Sequence, residues 1–345
     1  MKTNTRLSYN LLLAAMATSY GAVAGDTTKN FTVEVPMESK LNDAIQESSA
    51  FLQLITMAGV TDGKGQALEL GVNGLLAKRT DTSSTDRTPT MFGGPTGSQW
   101  ETILTEFDVG IPYQVLDQFA RYPDFAQRYM QAVYKAIALD RIGIGFHGTS
   151  AAAAATNPGT NTLGQDVNVG WLEQLKTGNA TNYMSDATDA AGDVISIHAD
   201  NTSAQGYKSL DGLVADLFSA IPVEYRTGNE VAIIGSTLLA ADSNKVYNDH
   251  GNTPSEKKDI SIMLNSYGGL QSMQVPRFPD TGVLVTDPAN LHLYFQEGRT
   301  RRQTEEESKR NRVVDYISSN DAYAVGNLKA MAAVDPSKVQ LTQPV

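Results

Sequence analysis

The sequence predicts an α+β protein, and three patterns indicate this fold class. Apolar residues recur at helical spacing over residues 39–55 and, more strongly, over residues 123–144. Apolar and polar residues alternate over residues 100–111, which is typical of a strand with one buried face. The second half of the chain then mixes short apolar runs, such as residues 231–234, with segments that begin at a capping serine.

Length and charge limit the possible functions. The chain has 345 residues, which at roughly 150 residues per domain corresponds to one to three domains. Acidic residues outnumber basic residues by 38 to 27, and because phosphate binding requires clustered cations, this argues against a general DNA-coating protein. A chain of this charge can still surround DNA without adhering to it. The absence of cysteine excludes thiol nucleophiles, disulfides, cysteine-ligated zinc and iron–sulfur clusters.

The amino end has two interpretations. Lys2 and Arg6 precede the apolar residues 11–17, and Ala22-Val23-Ala24 follows, which together resemble a secretory signal with its cleavage site. The alternative is an amphipathic helix with Leu7, Leu11 and Ala14 at helical spacing. No other stretch approaches the ~18 apolar residues of a membrane span, so no membrane partner is expected.

A helix is predicted over residues 39–55, with Ser39 as its N-cap. Residues 59–79 are rich in glycine around a short strand pattern, and residues 80–98 are mostly Thr, Ser, Gly and Pro. Together with the strand that starts at Trp100, they predict a hairpin with a long polar tip. An isolated two-stranded hairpin is only marginally stable in water, so this one needs a partner surface. That need is a first indication of an assembling protein.

The strongest helix pattern follows a short helix at residues 115–121. Pro123 and Asp124 are typical of a helix start, and the apolar spacing continues to residue 144, on the order of 30 Å. Residues 151–159, rich in alanine and ending in Asn-Pro-Gly, predict a domain boundary. The later predicted elements are helices that begin at Ser209 and Ser236, strands at 231–234, 271–275, 283–286 and 291–295, and closing segments at 313–317 and 322–334.

The chemical motifs are weak. Residues 143–148 match G-x-G-x-x-G, but a dinucleotide site needs that pattern after a strand and at the start of a helix. Here the glycines follow a helix, so they are predicted to end it. The histidines His147, His198, His250 and His292 have no metal-site spacing, and no nucleophile or phosphate-loop motif is present. The sequence therefore predicts no enzyme activity, no catalytic or metal-ligating residue and no cofactor. A glycosidase-like pair of acids stays open, because such a pair can be recognised only in three dimensions.

Residues 299–312 form a charged segment with two interpretations. One is a solvated hairpin or loop with internal ion pairs, which contribute little to stability. The other is a contact between subunits, where complementary charges fix the register. The residues concerned are Arg299, Arg301, Arg302, Glu305, Glu306, Glu307, Lys309, Arg310 and Arg312.

Short matches to one known family occur in the same order from the amino end to the carboxyl end. They are Ala24-Gly25-Asp26, Phe31-Thr32-Val33-Glu34, Gln46-Glu47-Ser48-Ser49, Phe51-Leu52, Ala120-Arg121-Tyr122, Asp124-Phe125, Leu139-Asp140, Gly145-Phe146 with Gly148, Gln165-Asp166-Val167, Val169-Gly170-Trp171-Leu172, Ser209-Leu210-Asp211, Leu238-Leu239-Ala240, Val275-Pro276, Phe278-Pro279 and Arg312-Val313 with Tyr316. In this ordered set the chain resembles the major capsid proteins of tailed bacteriophages, in the peduovirus-like branch of the Hong Kong 97 capsid fold.

The resemblance implies five segments. Residues 1–58 would be an N-terminal arm with a cleavable or assembly segment, and residues 59–112 the extended hairpin loop. Residues 113–150 would carry the spine helix of the peripheral domain, residues 151–282 the axial domain, and residues 283–345 the strands that return through the peripheral domain to the carboxyl end. Further contacts between subunits are then expected at four residues of the hairpin, namely Lys78, Arg79, Arg87 and Trp100.

The same resemblance implies a structural function. Copies would assemble as hexamers and pentamers into an icosahedral head around double-stranded DNA, without sequence-specific binding. The implied partners are a scaffolding protein, a maturation protease that cuts near Phe31-Thr32, and a portal protein. The location would be the host cytoplasm during assembly and then the virion. Two rivals stay open, an encapsulin-type bacterial compartment shell and an exported surface protein.

Overall fold

The computed structural model describes residues 3–22, 27–66, 77, 79–84, 86–89, 98–119, 122, 124–185, 194–198, 206–250 and 266–341. The helices in these ranges are α1 (Thr3–Tyr20), α2 (Val35–Glu47), α3 (Tyr113–Phe119), α4 (Phe125–His147), α5 (Trp171–Gly178), α6 (Leu210–Ala220) and α7 (Ser236–His250). The strands are β1 (Phe31–Thr32), β2 (Thr56–Val60), β3 (Lys64–Gln66), β4 (Gln99–Glu101), β5 (Ile103–Glu106), β6 (Val109–Pro112), β7 (Tyr183–Met184), β8 (Ile195–Ser196), β9 (Val231–Ile234), β10 (Ser266–Tyr267), β11 (Leu270–Met273), β12 (Val283–Thr286), β13 (Leu291–Gln296), β14 (Arg301–Glu307), β15 (Arg312–Val325), β16 (Met331–Val334) and β17 (Val339–Gln340).

The chain divides into two compact units. Unit 1 comprises Met1–Lys64, Glu101–Gly170 and His292–Tyr323, and unit 2 comprises Gly65–Trp100, Trp171–Leu291 and Ala324–Val345. The sequence places its boundaries after residues 150 and 282, whereas the chain changes unit after Gly170 and Leu291.

The first of these boundaries lies later than expected because the loop after α4 folds back onto unit 1. The side chain of Asn168 donates to the Asp321 carbonyl at 2.9 Å, and the Gly170 amide donates to the Gly148 carbonyl at 3.0 Å.

Unit 1 is built on one sheet with β15 at its centre. The strand order is β1-β14-β15-β13-β2, and β5 and β6 also pair with β15. The β14 and β15 strands form an antiparallel hairpin, with Arg301 opposite Ser318 and Glu307 opposite Arg312. The alternation predicted over residues 100–111 is confirmed: Thr105 and Phe107 are buried, although the pattern is split among β4, β5 and β6.

A buried ion pair joins the spine helix α4 to the central strand. Nε of Arg141 donates to Oδ2 of Asp321 at 2.9 Å, and Nη2 donates to Oδ1 at 3.1 Å. The remaining Nη1 donates to the side-chain oxygen of Asn42 on α2 at 2.8 Å. Asp321 also accepts from the Ser319 hydroxyl at 2.9 Å. Because every charged atom has a partner, both ions are held away from water without an unpaired charge.

Unit 2 has a six-stranded sheet in the order β10-β11-β9-β12-β16-β7. The central strand β12 is antiparallel to both β9 and β16, and its four residues are buried. Helix α6 packs on this sheet and begins where the sequence predicts, because the Ser209 side chain accepts from the Gly212 amide. The buried cluster includes Leu213, Leu217 and Ile234.

Helix α2 differs from its predicted bounds at both ends. It begins at Val35, so Ser39 lies inside the helix, where its hydroxyl donates to the Val35 carbonyl at 3.2 Å. At the other end the Ser48 hydroxyl donates to the Ile45 carbonyl at 2.6 Å. It takes the place of the Ser49 amide, which would bind that carbonyl if the helix continued. Phe51, Leu52 and Ile55, which were predicted on the buried face of the helix, are buried after its end instead.

The glycines near the end of α4 have a packing function. Gly143 and Gly145 lie inside the helix and do not end it, contrary to the prediction. A β-carbon on Gly148 would lie 2.2 Å from the Asn168 carbonyl oxygen, and one on Gly170 would lie 2.4 Å from the Gly145 carbonyl oxygen. These positions are glycine because two backbones approach each other too closely for any side chain.

None of the helices in the described ranges combines the length and apolar character needed to cross a membrane.

The buried pair Arg141–Asp321 predicts a large loss of stability when one charge is removed. We expect Asp321→Asn to lower the free energy of unfolding by about 3–5 kcal/mol, because the Arg141 charge stays buried without its partner. Urea denaturation measures this change. Lys64→Ala is the matched control, since it breaks an exposed ion pair to Glu101 and should change stability little. Equal effects of the two substitutions would contradict the assignment.

Candidate functional site

The β14–β15 hairpin contains the charged segment 299–312, and its side chains separate onto two faces. Successive side chains of a strand point to opposite faces. Arg302 and Thr304 are buried, whereas Arg301 and Glu305 are exposed. One face of β14 therefore belongs to the interior, and the other face is open.

Arg302 forms a buried ion pair with Asp315 on β15. Nε of Arg302 donates to Oδ1 of Asp315 at 2.9 Å, and Nη2 donates to Oδ2. The two side chains are 2% and 1% exposed. Asp315 also accepts from the Thr304 hydroxyl at 3.1 Å and the Tyr129 hydroxyl at 3.3 Å. The structure corrects the prediction for Arg302: its guanidinium lies inside the subunit and not on a contact surface.

Helix α1 covers this ion pair. The guanidinium carbon of Arg302 lies 4.6 Å from the centre of the Tyr20 ring, and Nη1 of Arg302 donates to the Tyr20 hydroxyl. The hydroxyls of Tyr20 and Tyr134 lie 2.9 Å apart. Burial raises the pKa of Tyr20 well above its ordinary value, so the hydroxyl stays neutral. The last turn of α1 therefore closes the interior of unit 1 over a charged pair.

The amphipathic helix predicted at the amino end is present, but its buried face is a different one. The residues on the buried face are Thr5, Tyr9, Leu12, Met16, Ala17 and Tyr20. Leu7 and Leu11, which the sequence pattern placed on the packed face, are 62% and 58% exposed. The surface beneath α1 is partly polar, which selects tyrosine and methionine; for example, Met16 Sδ lies 3.4 Å from the Thr304 hydroxyl oxygen.

The predicted processing residues Phe31 and Thr32 form the short edge strand β1. They pair with Arg302 and Arg301 of β14. The same edge is extended on both sides, because the Thr304 amide donates to the Thr27 carbonyl and the Val33 amide donates to the Thr300 carbonyl, each at 2.9 Å. The arm therefore lies along β14 as an edge strand, held by few backbone hydrogen bonds.

Four basic side chains of the charged segment are exposed: Arg299, Arg301, Lys309 and Arg310. None of them forms an ion pair with another residue of the described ranges. Asn311 adopts a left-handed conformation, with φ of 52°, at the tip of the hairpin. That turn presents Lys309 and Arg310 together.

Three other members of the segment, Glu306, Glu307 and Arg312, have partners inside the subunit. Glu306 accepts from Arg6 at 2.7 Å and from the Tyr113 hydroxyl at 2.8 Å. Partial burial opposes ionisation there, but these hydrogen bonds hold the pKa of Glu306 below its ordinary value. Glu307 accepts from Arg312 at 2.7 Å, which lowers the pKa of Glu307. The internal ion pairs of Glu306 and Glu307 agree with the interpretation of this part of the segment as a solvated hairpin.

An open pocket of about 330 Å³ lies on the outer face of the same sheet. Its lining is Asn30, Glu106, Asp108, Arg301, Gln303, Tyr316, Ile317 and Ser318. Partial burial and the neighbouring Glu106 raise the pKa of Asp108. The pocket is polar, and its two carboxylates favour a cationic group.

The candidates on the hairpin are only partly described. Trp100 is half-buried, and its indole lies so close to Gly65 that a β-carbon there would be 2.5 Å from the ring. Arg79 and Arg87 are exposed. Lys78 lies outside the described residues.

Sequence reasoning missed Tyr20 and Asp315. Neither belongs to a motif, and only the period-two pattern of β14 could have indicated that one of two adjacent arginines needs a buried acid.

Comparison with known proteins identifies the family. A family model described as "Phage major capsid protein, P2 family" matches residues 8–336. The chain belongs to this family. It is similar to the capsid proteins of Escherichia phage P2, with 34% identity over 343 residues that cover 98% of this chain and 96% of that protein. It is also similar to the major capsid protein of Serratia phage KSP20, with 29% identity and 97% of both chains covered.

The fold of this capsid protein agrees with a solved assembly. The structure titled "Satellite phage P4 procapsid including size determination (Sid) protein" matches with a TM-score of 0.78 and 32% identity, and the match covers 100% of both chains. The α+β fold is therefore of the Hong Kong 97 type, as the sequence resemblance implied. The protein forms the icosahedral shell of a tailed phage and is located in the virion. The compartment-shell and exported-protein alternatives are not favoured.

Tyr9, on the buried face of α1, predicts a loss of stability at alkaline pH. Burial, and then the charge of Glu306, raise the pKa of Tyr9 from 10.0 to about 12. The free energy of unfolding should therefore be insensitive to this group below pH 10 and fall between about pH 10 and 12, where only the unfolded chain loses the proton. Tyr9→Phe should reduce that slope and leave a constant offset from pH 7 to 9. Identical slopes in the parent and the variant would count against the buried position of this hydroxyl.

Proposed function

We propose that this capsid protein assembles as hexamers and pentamers, and that the open face of the β14–β15 hairpin is a contact between neighbouring copies. The segments act as the resemblance implies: residues 1–58 as the arm, 59–112 as the extended loop, 113–150 as the spine, and 151–282 as the axial domain. Residues 283–345 return through the peripheral domain. The role of the protein is structural, with no catalysis.

The observation that carries this proposal is the set of unpaired outward charges on the hairpin. Arg299, Arg301, Lys309 and Arg310 are exposed and form no ion pair with a described residue, while their inward neighbour Arg302 is fully paired. Charges of this kind contribute little to the stability of a subunit. They do steer association and fix the register of a neighbour.

The pocket beside Arg301 supplies a complementary surface. Glu106 and Asp108 line it. Partial burial and then the charge of Glu106 raise the pKa of Asp108, and a cationic side chain from another copy would offset that repulsion. A basic hairpin tip on one copy and an acidic pocket on the next make a head-to-tail contact. Head-to-tail contacts generate closed rings when the rotation closes, which is what hexamers and pentamers require.

Four further partners belong to the proposal. They are a scaffolding protein, a maturation protease, a portal protein and double-stranded DNA bound without sequence specificity. The net charge of −11 supports the last of these, because an acidic shell repels packed DNA and leaves it free to slide. The contact candidates of the hairpin, Arg79, Arg87 and Trp100, remain proposals as well, together with Lys78.

Reversing the outward charge should impair shell closure and leave the subunit intact. We expect Arg301→Glu to slow assembly most at low salt, because exposed charges are screened over ~8 Å at physiological ionic strength. Light scattering of assembly reactions at low and high salt measures this, and the melting temperature should change little.

Arg302→Glu is the matched comparison. It places a carboxylate beside the buried Asp315, so it should unfold the subunit instead of altering assembly alone. Lys40→Glu, an exposed reversal on α2, controls for net charge. Normal closure by Arg301→Glu at both salt concentrations would remove this face from the assembly contacts.

Processing at the arm predicts the mass of the mature chain. If a protease cuts between Phe31 and Thr32, intact-mass measurement of protein from mature virions should give a chain that starts at Thr32. A mature chain that starts at Met1 would contradict the processing proposal. A start at Gly25 would restore the signal-peptide interpretation.

A further inference from the structure

The surface beneath α1 is a groove formed by three elements of unit 1. Tyr134 of α4, Arg302 and Thr304 of β14, and Asp315 of β15 line it, and we call it the α1 groove. Tyr20 contacts the first two of these residues, and Met16 contacts Thr304. Along the same helix, Arg6 pairs with Glu306 at 2.7 Å, and Thr5 donates to Asp117. The α1 helix is thus held from its first turn to its last.

None of these contacts depends on the covalent link between α1 and the rest of the chain. The contacting residues on α1 are numbered 5 to 20, and their partners are numbered 117 and above. A cut after Phe31 would break one peptide bond and would remove no contact between α1 and the groove. Backbone pairing of Thr27 and Phe31 with β14 would be kept as well.

The groove also opposes spontaneous loss of α1. An empty groove would expose the Arg302–Asp315 pair, which is 2% and 1% exposed when α1 is bound, and would leave Nη1 of Arg302 without the Tyr20 hydroxyl. The 18-residue helix itself depends on the groove, because most of the stability of a helix in a protein comes from tertiary packing of its buried face. Binding and helix formation are therefore coupled.

We propose that the α1 groove is a ligand-binding groove whose ligand is α1, so that cutting the arm and emptying the groove are two separate events. Tyr20, through its hydrogen bond to buried Arg302, sets the rate of the second event. Cutting of the arm in the virion rests on the processing proposed above. The binding of α1 to the groove as a separate peptide does not depend on that processing.

The test uses the full chain with a recognition sequence for a foreign, sequence-specific protease inserted between Gly25 and Asp26. After complete cutting, the α1 fragment should co-elute with the remaining chain in size-exclusion chromatography. Its dissociation rate is then measured by exchange against an excess of labelled peptide of residues 1–25. Tyr20→Phe should raise that rate at least tenfold, since hydrogen bonds to charged groups contribute more than neutral ones.

A pair of adjacent leucines provides the matched control. Leu12 is 1% exposed and Leu11 is 58% exposed. We expect Leu12→Ala to raise the dissociation rate by at least about twentyfold, and Leu11→Ala to leave it unchanged. The melting temperature of each uncut variant shows whether the chain is folded before cutting.

Three results would overturn the proposal. These are immediate separation of the parent fragment after cutting, an unchanged rate for Tyr20→Phe, and equal rates for the two leucine variants. Because the protease is foreign and no shell is involved, these outcomes are independent of processing in virions. A mature chain starting at Met1 would therefore count against the processing site alone and leave the groove untouched.

Discussion

Two buried aspartates on β15 organise unit 1. Asp315 binds Arg302 of β14, and Asp321 binds Arg141 of α4. A buried charge without a partner costs several kcal/mol, so each pair fixes the position of the element that supplies the arginine. The Arg302–Asp315 pair joins the two strands of the hairpin and contacts α1. The Arg141–Asp321 pair joins α4 to β15 and, through Asn42, also contacts α2.

The local elements of both units could be predicted from sequence because their signals are local. The alternation over residues 100–111, the serine cap of α6 and the strand Val231–Ile234 each depend on neighbours in the chain, and each is confirmed. In the charged segment 299–312 a hairpin could be predicted but its buried face could not, because the high charge of the segment hides the alternation that separates Arg302 from its exposed neighbours. What decides burial there is Asp315, which forms its pair only once the hairpin has folded.

Which face of α1 is buried was also hard to predict, because that choice depends on residues distant in the chain. A periodic pattern places Leu7 and Leu11 of α1 on one side, and apolar residues are usually buried. The groove beneath α1 contains Arg302 and Thr304, however, and a surface with a buried charge selects a side chain that combines a ring with a hydroxyl. Tyr20 has both groups, and leucine has neither.

The glycine at position 170 could not be explained from sequence either. Only the folded loop brings Gly170 so close to the Gly145 carbonyl that no side chain fits.

Because side chains alternate along β14, its inward residues can stabilise the subunit while its outward residues are available for weaker contacts. Its inward residues belong to pairs whose disruption costs about 3–5 kcal/mol, so they determine whether the subunit folds. If its outward residues contact neighbouring copies, as proposed above, each exposed charge contact contributes typically less than ~1 kcal/mol and is weakened by salt. Contacts that are weak singly and numerous in a shell let a misplaced copy dissociate before its neighbours fix it. On that proposal the strand keeps the fold rigid while the contacts between copies remain reversible, and a substitution at position 301 would act on the second property where one at position 302 would act on the first.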